Sequence, residues 1–276
     1  MSPTPPDRIA KARRFLALHR PGTPLRMPNP WDAGIAKLLT ALGFEALATT
    51  SSGHAGTLGH LDYGVTRDEA LAHAASIAGA TDLPVSADLE NGFADEPDGV
   101  AETMRRAVAA GLAGCSIEDY TGRPDAPIYE REHAVARIAA AAEVARANDT
   151  RIVLTARAEN YLHGRPDLAD TIARLQAYQE AGADVLYAPG ITRLDDIKAV
   201  VSSVDRPVNV LALPGVPPVS ELGAAGVRRI SVGSAFAWAA FSGVTEAARE
   251  LRERGTYGFL ERAVTGRTAV RTAFGG

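Results

Sequence analysis

Short apolar runs alternate with longer amphipathic stretches along this chain, repeating roughly every 25 to 40 residues. The runs are nearly continuous in their apolar character, as strands buried on both faces of a parallel sheet are. The stretches between them set apolar residues on one side of a helical period. This pattern predicts an opening helix over 8–20, then strand and helix in turn at 24–27 and 32–42, at 45–50 and 67–79, at 84–88 and 99–110, and at 113–118 and 130–147. It continues at 151–156 and 166–181, at 184–187 and 194–201, and at 207–211 and 219–224. An eighth strand at 229–232 leads into helical stretches at 234–241, 244–254 and 256–263. Gly43, Gly111, Gly182 and Gly226 each stand where a helix must stop before the next strand begins. Eight such strands predict an α/β fold, a (β/α)8 TIM barrel in one domain over residues 1–276, with about 234–276 as a C-terminal helical segment.

Composition narrows the classes open to that barrel. An apolar fraction of 46% is enough for a large core, and a net charge of -4 with no basic stripe argues against a nucleic-acid partner. One cysteine excludes an internal disulfide and fits a reducing compartment. The polar, proline-rich start, Ser2 to Asp7, carries no signal pattern, and no apolar run reaches the ~20 residues needed to cross a bilayer. The expectation is a cytoplasmic protein that does not engage a membrane.

The chemistry gathers where the strands end. The run Pro84-Val85-Ser86-Ala87-Asp88-Leu89-Glu90-Asn91-Gly92 closes an apolar strand with two carboxylates and a glycine turn. Ile117-Glu118-Asp119 does the same, and Thr155-Ala156-Arg157 ends in a cation. Parallel barrels keep their active sites at the C-terminal ends of the strands. Two acidic rims and one basic rim suggest a divalent metal holding an anionic substrate. The plainer alternatives are a salt bridge of Asp88 or Glu118 to Arg157, an ion pair of Arg157 with Glu159, a solvent-facing Glu90, and a turn capped by Asp62 against Gly64. Ser52-Gly53 reads equally as a tight turn. His54 and His60 fall in a loop close to the rim, and Asn209 on the seventh strand points toward the barrel mouth. Tyr120, Arg123 and Tyr129 fall in a loop placed to act as a lid, with Tyr120 a candidate proton donor. Ser231-Val232-Gly233-Ser234 reads as a phosphate-binding turn or a packing turn, and Cys115 as a small buried hydrophobe.

Taken in order, Pro28-Asn29-Pro30-Trp31-Asp32-Ala33-Gly34, Thr50-Ser51-Ser52-Gly53, Ser86-Ala87-Asp88, Ile117-Glu118-Asp119 and Thr155-Ala156-Arg157 resemble the isocitrate lyase / phosphoenolpyruvate mutase superfamily from about residue 24 to 242. The resemblance implies cleavage or formation of a C–C or P–C bond beside a carbonyl, through an enolate-like anion stabilised by Mg²⁺, with Mn²⁺ as an alternative. It implies metal ligation by Asp88, Glu118 and Asp62, a substrate carboxylate on Arg157, and Ser52 and Gly53 on the carboxylate and enolate oxygen; where Ser86 departs from the pattern, either Glu90 supplies the missing charge as a further ligand or the metal is held more weakly. It also implies a homo-oligomer, a dimer or tetramer in which the C-terminal helices are exchanged between subunits. The apolar stretch Ala235 to Phe241 agrees with that packing.

Departures from the superfamily pattern set the subclass. Ser86 stands where a metal-binding Asp-x-Asp would begin, and Pro189 replaces a glutamate after the sixth strand. Residues 119–129 contain neither the cysteine of the isocitrate and methylisocitrate lyases nor the Lys and Asn of the phosphonate-forming mutases. The expectation is therefore an altered-lid member: a carbon–carbon lyase on a small 2-oxo or 2-hydroxy carboxylic acid, either cleaving it or decarboxylating an oxaloacetate-like acid. The alternatives are phosphonopyruvate-type P–C cleavage, and a degenerate barrel that binds a carboxylate metabolite without turning it over.

Overall fold

The computed structural model describes residues 5–147 and 151–275. The expected proline-rich start lies partly outside them. Eight parallel strands appear in the expected order: β1 (Leu25–Met27), β2 (Leu47–Ala48), β3 (Val85–Asp88), β4 (Gly114–Glu118), β5 (Val153–Arg157), β6 (Val185–Tyr187), β7 (Val208–Leu211) and β8 (Arg229–Ser231). Each strand pairs with its sequence neighbour from β2 round to β8, and β8 pairs with β1. Between β1 and β2 the wall is carried by the Ala48 N–H donating to the Pro28 carbonyl at 3.1 Å. The result is a nearly closed (β/α)8 barrel.

The opening helix α1 (Pro5–Ala17) stoppers the N-terminal end. Phe15, fully buried, packs with Leu25, Met27, Val153 and Val185, and burial of such a ring stabilises by about 1.5–3 kcal/mol. Gly114 admits it, since a Cβ there would stand 2.8 Å from the Phe15 ring and 2.8 Å from the Val153 carbonyl. Outside the barrel, α2 (Ala33–Ala41) is capped by Asp32, whose side chain accepts the Ile35 N–H, and α4 (Arg67–Gly79) by a Thr66/Glu69 capping box. Helices α5 (Pro97–Ala109), α6 (Arg131–Arg146), α7 (Leu168–Ala181), α8 (Leu194–Ser202) and α9 (Val219–Ala224) cover the remaining strands. Leu47, Leu89, Ile117, Leu154 and Leu186 belong to the buried cluster that these helices close over.

Two regions depart from the pattern read in the sequence. The strand expected over 45–50 shrinks to Leu47–Ala48, and the expected turn at Ser52-Gly53 is the start of a helix, α3 (Ser51–Thr57). Thr50 caps it by accepting the Gly53 N–H on its hydroxyl, a local bond that starts a helix where small polar residues also suit a turn. At the C-terminus the stretches expected at 234–241 and 244–254 form one helix, α10 (Ala235–Arg254). Gly243 lies inside it in open space and does not break it, because an interior glycine costs only about 1 kcal/mol. The last helix, α11 (Leu260–Phe274), starts later and runs further than 256–263 and lies against α2.

Candidate active site

A cavity of about 430 Å³ with a mixed polar and apolar lining opens at the C-terminal ends of the strands. Asp88, Ser116 and Arg157 enter it from β3, β4 and β5, Asn209 from β7, and Ser51, Ser52 and Asp62 from α3 and the segment after it.

Arg157 organises this mouth. Its Nη1 meets Asp88 Oδ1 at 2.9 Å, its Nη2 meets Glu118 Oε2 at 3.0 Å, and its Nε meets Glu159 Oε1 at 2.8 Å. Register explains the meeting. Glu118 and Arg157 are direct neighbours across β4 and β5, and Asp88 sits opposite Ser116, two residues before Glu118. The Arg157 side chain is 12% exposed and the Glu118 side chain 1%. Burial works against the guanidinium charge, but Glu118, Glu159 and Asp88 together hold its pKa well above the ordinary value. Burial likewise pushes Glu118 up, against the pull of Arg157. Both salt-bridge alternatives read from the sequence are present; Asp88 and Arg157 also line the cavity, whereas Glu118, Glu159 and Glu90 lie behind its wall.

The other acids crowd the same place. Asp62 is raised by burial and then by the charge of Asp88, with Ser51 opposing through a hydrogen bond. The Ser51 hydroxyl also donates to Asp88 Oδ2 at 3.1 Å. Glu90 faces no open solvent. It is buried, holds a left-handed backbone at φ 48°, and is pushed up to about 8 by burial, then by Asp88 and Asp62. Asp119, one residue beyond Glu118, leaves the site: its carboxylate accepts from Tyr178 at 2.6 Å and Arg174 at 3.1 Å on α7.

Several expected participants lie elsewhere. His54 does not line the cavity; its ring stacks on His73 at 3.6 Å. His60 is bonded through Nδ1 to the Gly64 carbonyl at 2.9 Å. Among the described residues lining the cavity, none comes from 119–129. That loop folds on itself, with Tyr120 bridged to Ile128 and the Thr121 N–H on the Pro127 carbonyl. Tyr120 lies off the cavity wall, where its ring stacks on His163 at 3.7 Å and tilts against Tyr63 at 4.8 Å. Gly53 is buried and does not line the cavity, whereas Ser52 does. The Val232 and Gly233 N–H groups both donate to Asn29 Oδ1 at 3.0 Å, which makes the turn at 231–234 a packing turn. Cys115 is fully buried, with its thiol raised to about 12 by burial.

Other residues take their places. Tyr63, at φ 62°, donates its hydroxyl to Glu118 Oε1 at 2.8 Å, and burial and the nearby carboxylates keep that hydroxyl protonated. Glu159 is raised to about 7 by burial and leaves Oε2 without a hydrogen-bond partner, 3.8 Å from His163 Nε2. Arg229 lines the cavity from β8. The inward alternation Arg157-x-Glu159 and Arg229-x-Ser231 is the signal that marks two of these in the sequence. Nothing local marks Tyr63.

A divalent cation is implied by the superfamily resemblance, and the donors test it. Among the described residues, no three His, Cys, Asp or Glu are grouped for direct coordination. Asp62, Asp88, Glu90 and Glu118 are therefore not a four-carboxylate cage, and Glu118 is committed to Arg157 and Tyr63. A hard cation that keeps most of its water needs only one or two carboxylates. Asp88 raises the charge cost of both Asp62 and Glu90, a cost that a nearby cation would relieve, so the cluster fits such a hydrated ion.

A parallel barrel whose C-terminal rim sets a carboxylate surplus around one guanidinium has the form of a barrel enzyme's active-site end. The phosphoenolpyruvate phosphomutase family matches residues 15–252, and the chain belongs to that family, within the phosphoenolpyruvate mutase / isocitrate lyase superfamily. The structure is similar to that of a putative lyase/mutase from Burkholderia cenocepacia, with 55% identity, a TM-score of 0.93 and 96% of each chain covered. An uncharacterized protein of Mycobacterium tuberculosis is 33% identical over 87% of this chain and 89% of its own length. The 2-methylisocitrate lyase of Escherichia coli is 32% identical over 70% of each.

Proposed function

We propose that this protein is a carbon–carbon lyase dependent on a divalent cation, Mg²⁺ in the first place, acting on a small 2-oxo or 2-hydroxy carboxylic acid by C–C cleavage or oxaloacetate-type decarboxylation. The observation that carries the reading is a cavity at the strand ends lined by Asp62, Asp88 and Arg157, with Arg157 ion-paired to Asp88 and to the buried Glu118 behind it. Similarity to a 2-methylisocitrate lyase supports the reaction class.

Breaking a bond beside a carbonyl leaves an electron pair that must come to rest on the carbonyl oxygen. A cation held by Asp88, with Asp62 or Glu90 partly through water, would supply positive charge for that oxygen. Arg157 orients the acid. Three of its five N–H donors go to carboxylates, and the other two, without a partner among the described residues, suit a substrate carboxylate. Tyr63 fixes Glu118, and Glu118 with Glu159 fixes the guanidinium plane. Ser51 and Ser52 bring small hydroxyls to the wall, where they can donate to a developing anion. Phosphonopyruvate-type P–C cleavage has weaker support, because Arg123, the one cation of 119–129, pairs with Asp95 at 3.5 Å and does not line the cavity.

Calorimetry with oxalate, an enolate mimic, tests the reading. Oxalate should bind in the presence of Mg²⁺ and not in its absence, and oxaloacetate or 2-methylisocitrate should turn over faster than with Mg²⁺ alone. Metal-dependent binding without turnover of either acid would favour the degenerate barrel, and oxalate binding indifferent to Mg²⁺ would sink the lyase assignment.

A further inference from the structure

Beneath the rim lies a second guanidinium that the reading above does not use. Arg229 is 2% exposed, yet it is part of the cavity wall. Its side chain makes hydrogen bonds to Asn209 Oδ1 at 2.9 Å and Thr155 Oγ1 at 3.1 Å, and contacts His19 Nε2 at 3.4 Å. All three partners are neutral. His19 bonds the Phe15 carbonyl through Nδ1, which leaves Nε2 a bare acceptor, and burial with Arg229 beside it lowers its pKa to about 3. Among the described residues, no carboxylate pairs with Arg229. Burial lowers its pKa to about 9, and Arg157 adds repulsion.

Buried charges are ordinarily paired, because an unpaired one in a low-dielectric interior is costly. Here the pairing is missing at a position that opens on a cavity. Thr155 lies two residues before Arg157 on β5, and Arg229 two residues before Ser231 on β8. Inward-facing residues two apart on a strand form successive layers of a barrel, so Arg229 lies one layer below Arg157. The cavity runs from one guanidinium at the rim to another at the floor. Asn209 links the levels by donating to Ser231 Oγ at 2.9 Å while accepting from Arg229.

We propose that Arg229 receives a second anionic group of the substrate, so that the site selects a dianionic acid, with one carboxylate at Arg157 and the other recessed at the floor, over a monoanion of the same shape. This rests on the lyase reading for the identity of the ligand as a carboxylic acid. The charge of Arg229 is then completed by the ligand and not by the protein.

The test compares succinate with its half-amide succinamate, of equal shape and half the charge, by calorimetry on the full-length protein with Mg²⁺, and oxalate serves as the short probe for the rim. Succinate should bind the unaltered protein about 10- to 100-fold more tightly than succinamate. Arg229→Gln should erase that preference while leaving oxalate affinity within about threefold. A crystal structure of the unaltered protein with succinate should place one carboxylate on the Arg229 guanidinium, which keeps the question open to refutation even where Arg229→Gln fails to fold. Equal binding of succinate and succinamate, or a succinate that leaves Arg229 untouched, overturns the proposal. Loss of metal-dependent oxalate binding in the unaltered protein would instead overturn the lyase reading and leave the charge preference a separate result.

Discussion

Arg157 and Asp88 show what a strand end can and cannot announce. A carboxylate or guanidinium that terminates an apolar strand is visible in the chain, because apolar neighbours make its burial costly unless something meets it. Asp88, Glu118 and Arg157 were legible for that reason. What meets them was not: Tyr63 comes from a loop with no periodic pattern, and its left-handed backbone is imposed by its surroundings. His54 and Tyr120 have chemistry suited to the site, but each ring finds a stacking partner, His73 or His163, that directs it elsewhere. Asp88→Ala should lower kcat/KM by about 100-fold or more, with an unchanged circular dichroism spectrum. Glu90 carries a pH signature. Its carboxyl is raised from 4.5 to about 8, so the folded state keeps a proton that the unfolded chain has released within that window. Its stabilisation is complete below about 4.5 and is lost as pH climbs to about 8. Thermal melts of the metal-free protein should fall in midpoint across that range, and Glu90→Gln should flatten the fall. An unchanged slope in the variant would remove Glu90 from the cluster.

The elements succeed where periodicity is long and fail where it is short. Helices α4, α5, α6 and α7 lie within a few residues of expectation, since an amphipathic stripe against a barrel repeats over several turns. Helix α3 escaped because Ser51, Ser52 and Gly53 suit a turn as well as a capped helix, and packing against α10 decided it. A Cβ on Gly53 would lie 2.6 Å from Thr50 Cγ2 and 3.2 Å from Ala237 Cβ. Relief by turning Thr50 would give up its cap and its 2.7 Å bond to Ser234. Gly53→Ala should therefore destabilise by about 1–3 kcal/mol despite the better helix propensity of alanine, as read by denaturant unfolding. A neutral or stabilising result would mean that α3 and α10 do not constrain each other.

At the scale of the molecule, α10 and α11 present Trp238 (48% exposed), Leu251, Leu260, Val264 and Phe274 to solvent, more apolar surface than a lone helical hairpin ordinarily leaves uncovered. This supports assembly through the C-terminal helices into a dimer or tetramer. Sedimentation should find an oligomer, and Val264→Asp should shift it toward smaller species; a monomer at micromolar concentration in the unaltered protein would contradict it. The repeating strand and helix pattern determined a parallel α/β architecture by itself, because each element carries its own burial face, and the count of eight strands favoured the barrel over an open sheet. It also determined which charges stand at the rim, since strand polarity fixes which end each residue reaches. Only the tertiary structure decided which of those charges meet, that the loop at 119–129 stands off the cavity, and that a guanidinium lies unpaired at its floor. Those outcomes depend on register and side-chain packing between segments far apart in the chain, and no local pattern encodes a distance across a barrel.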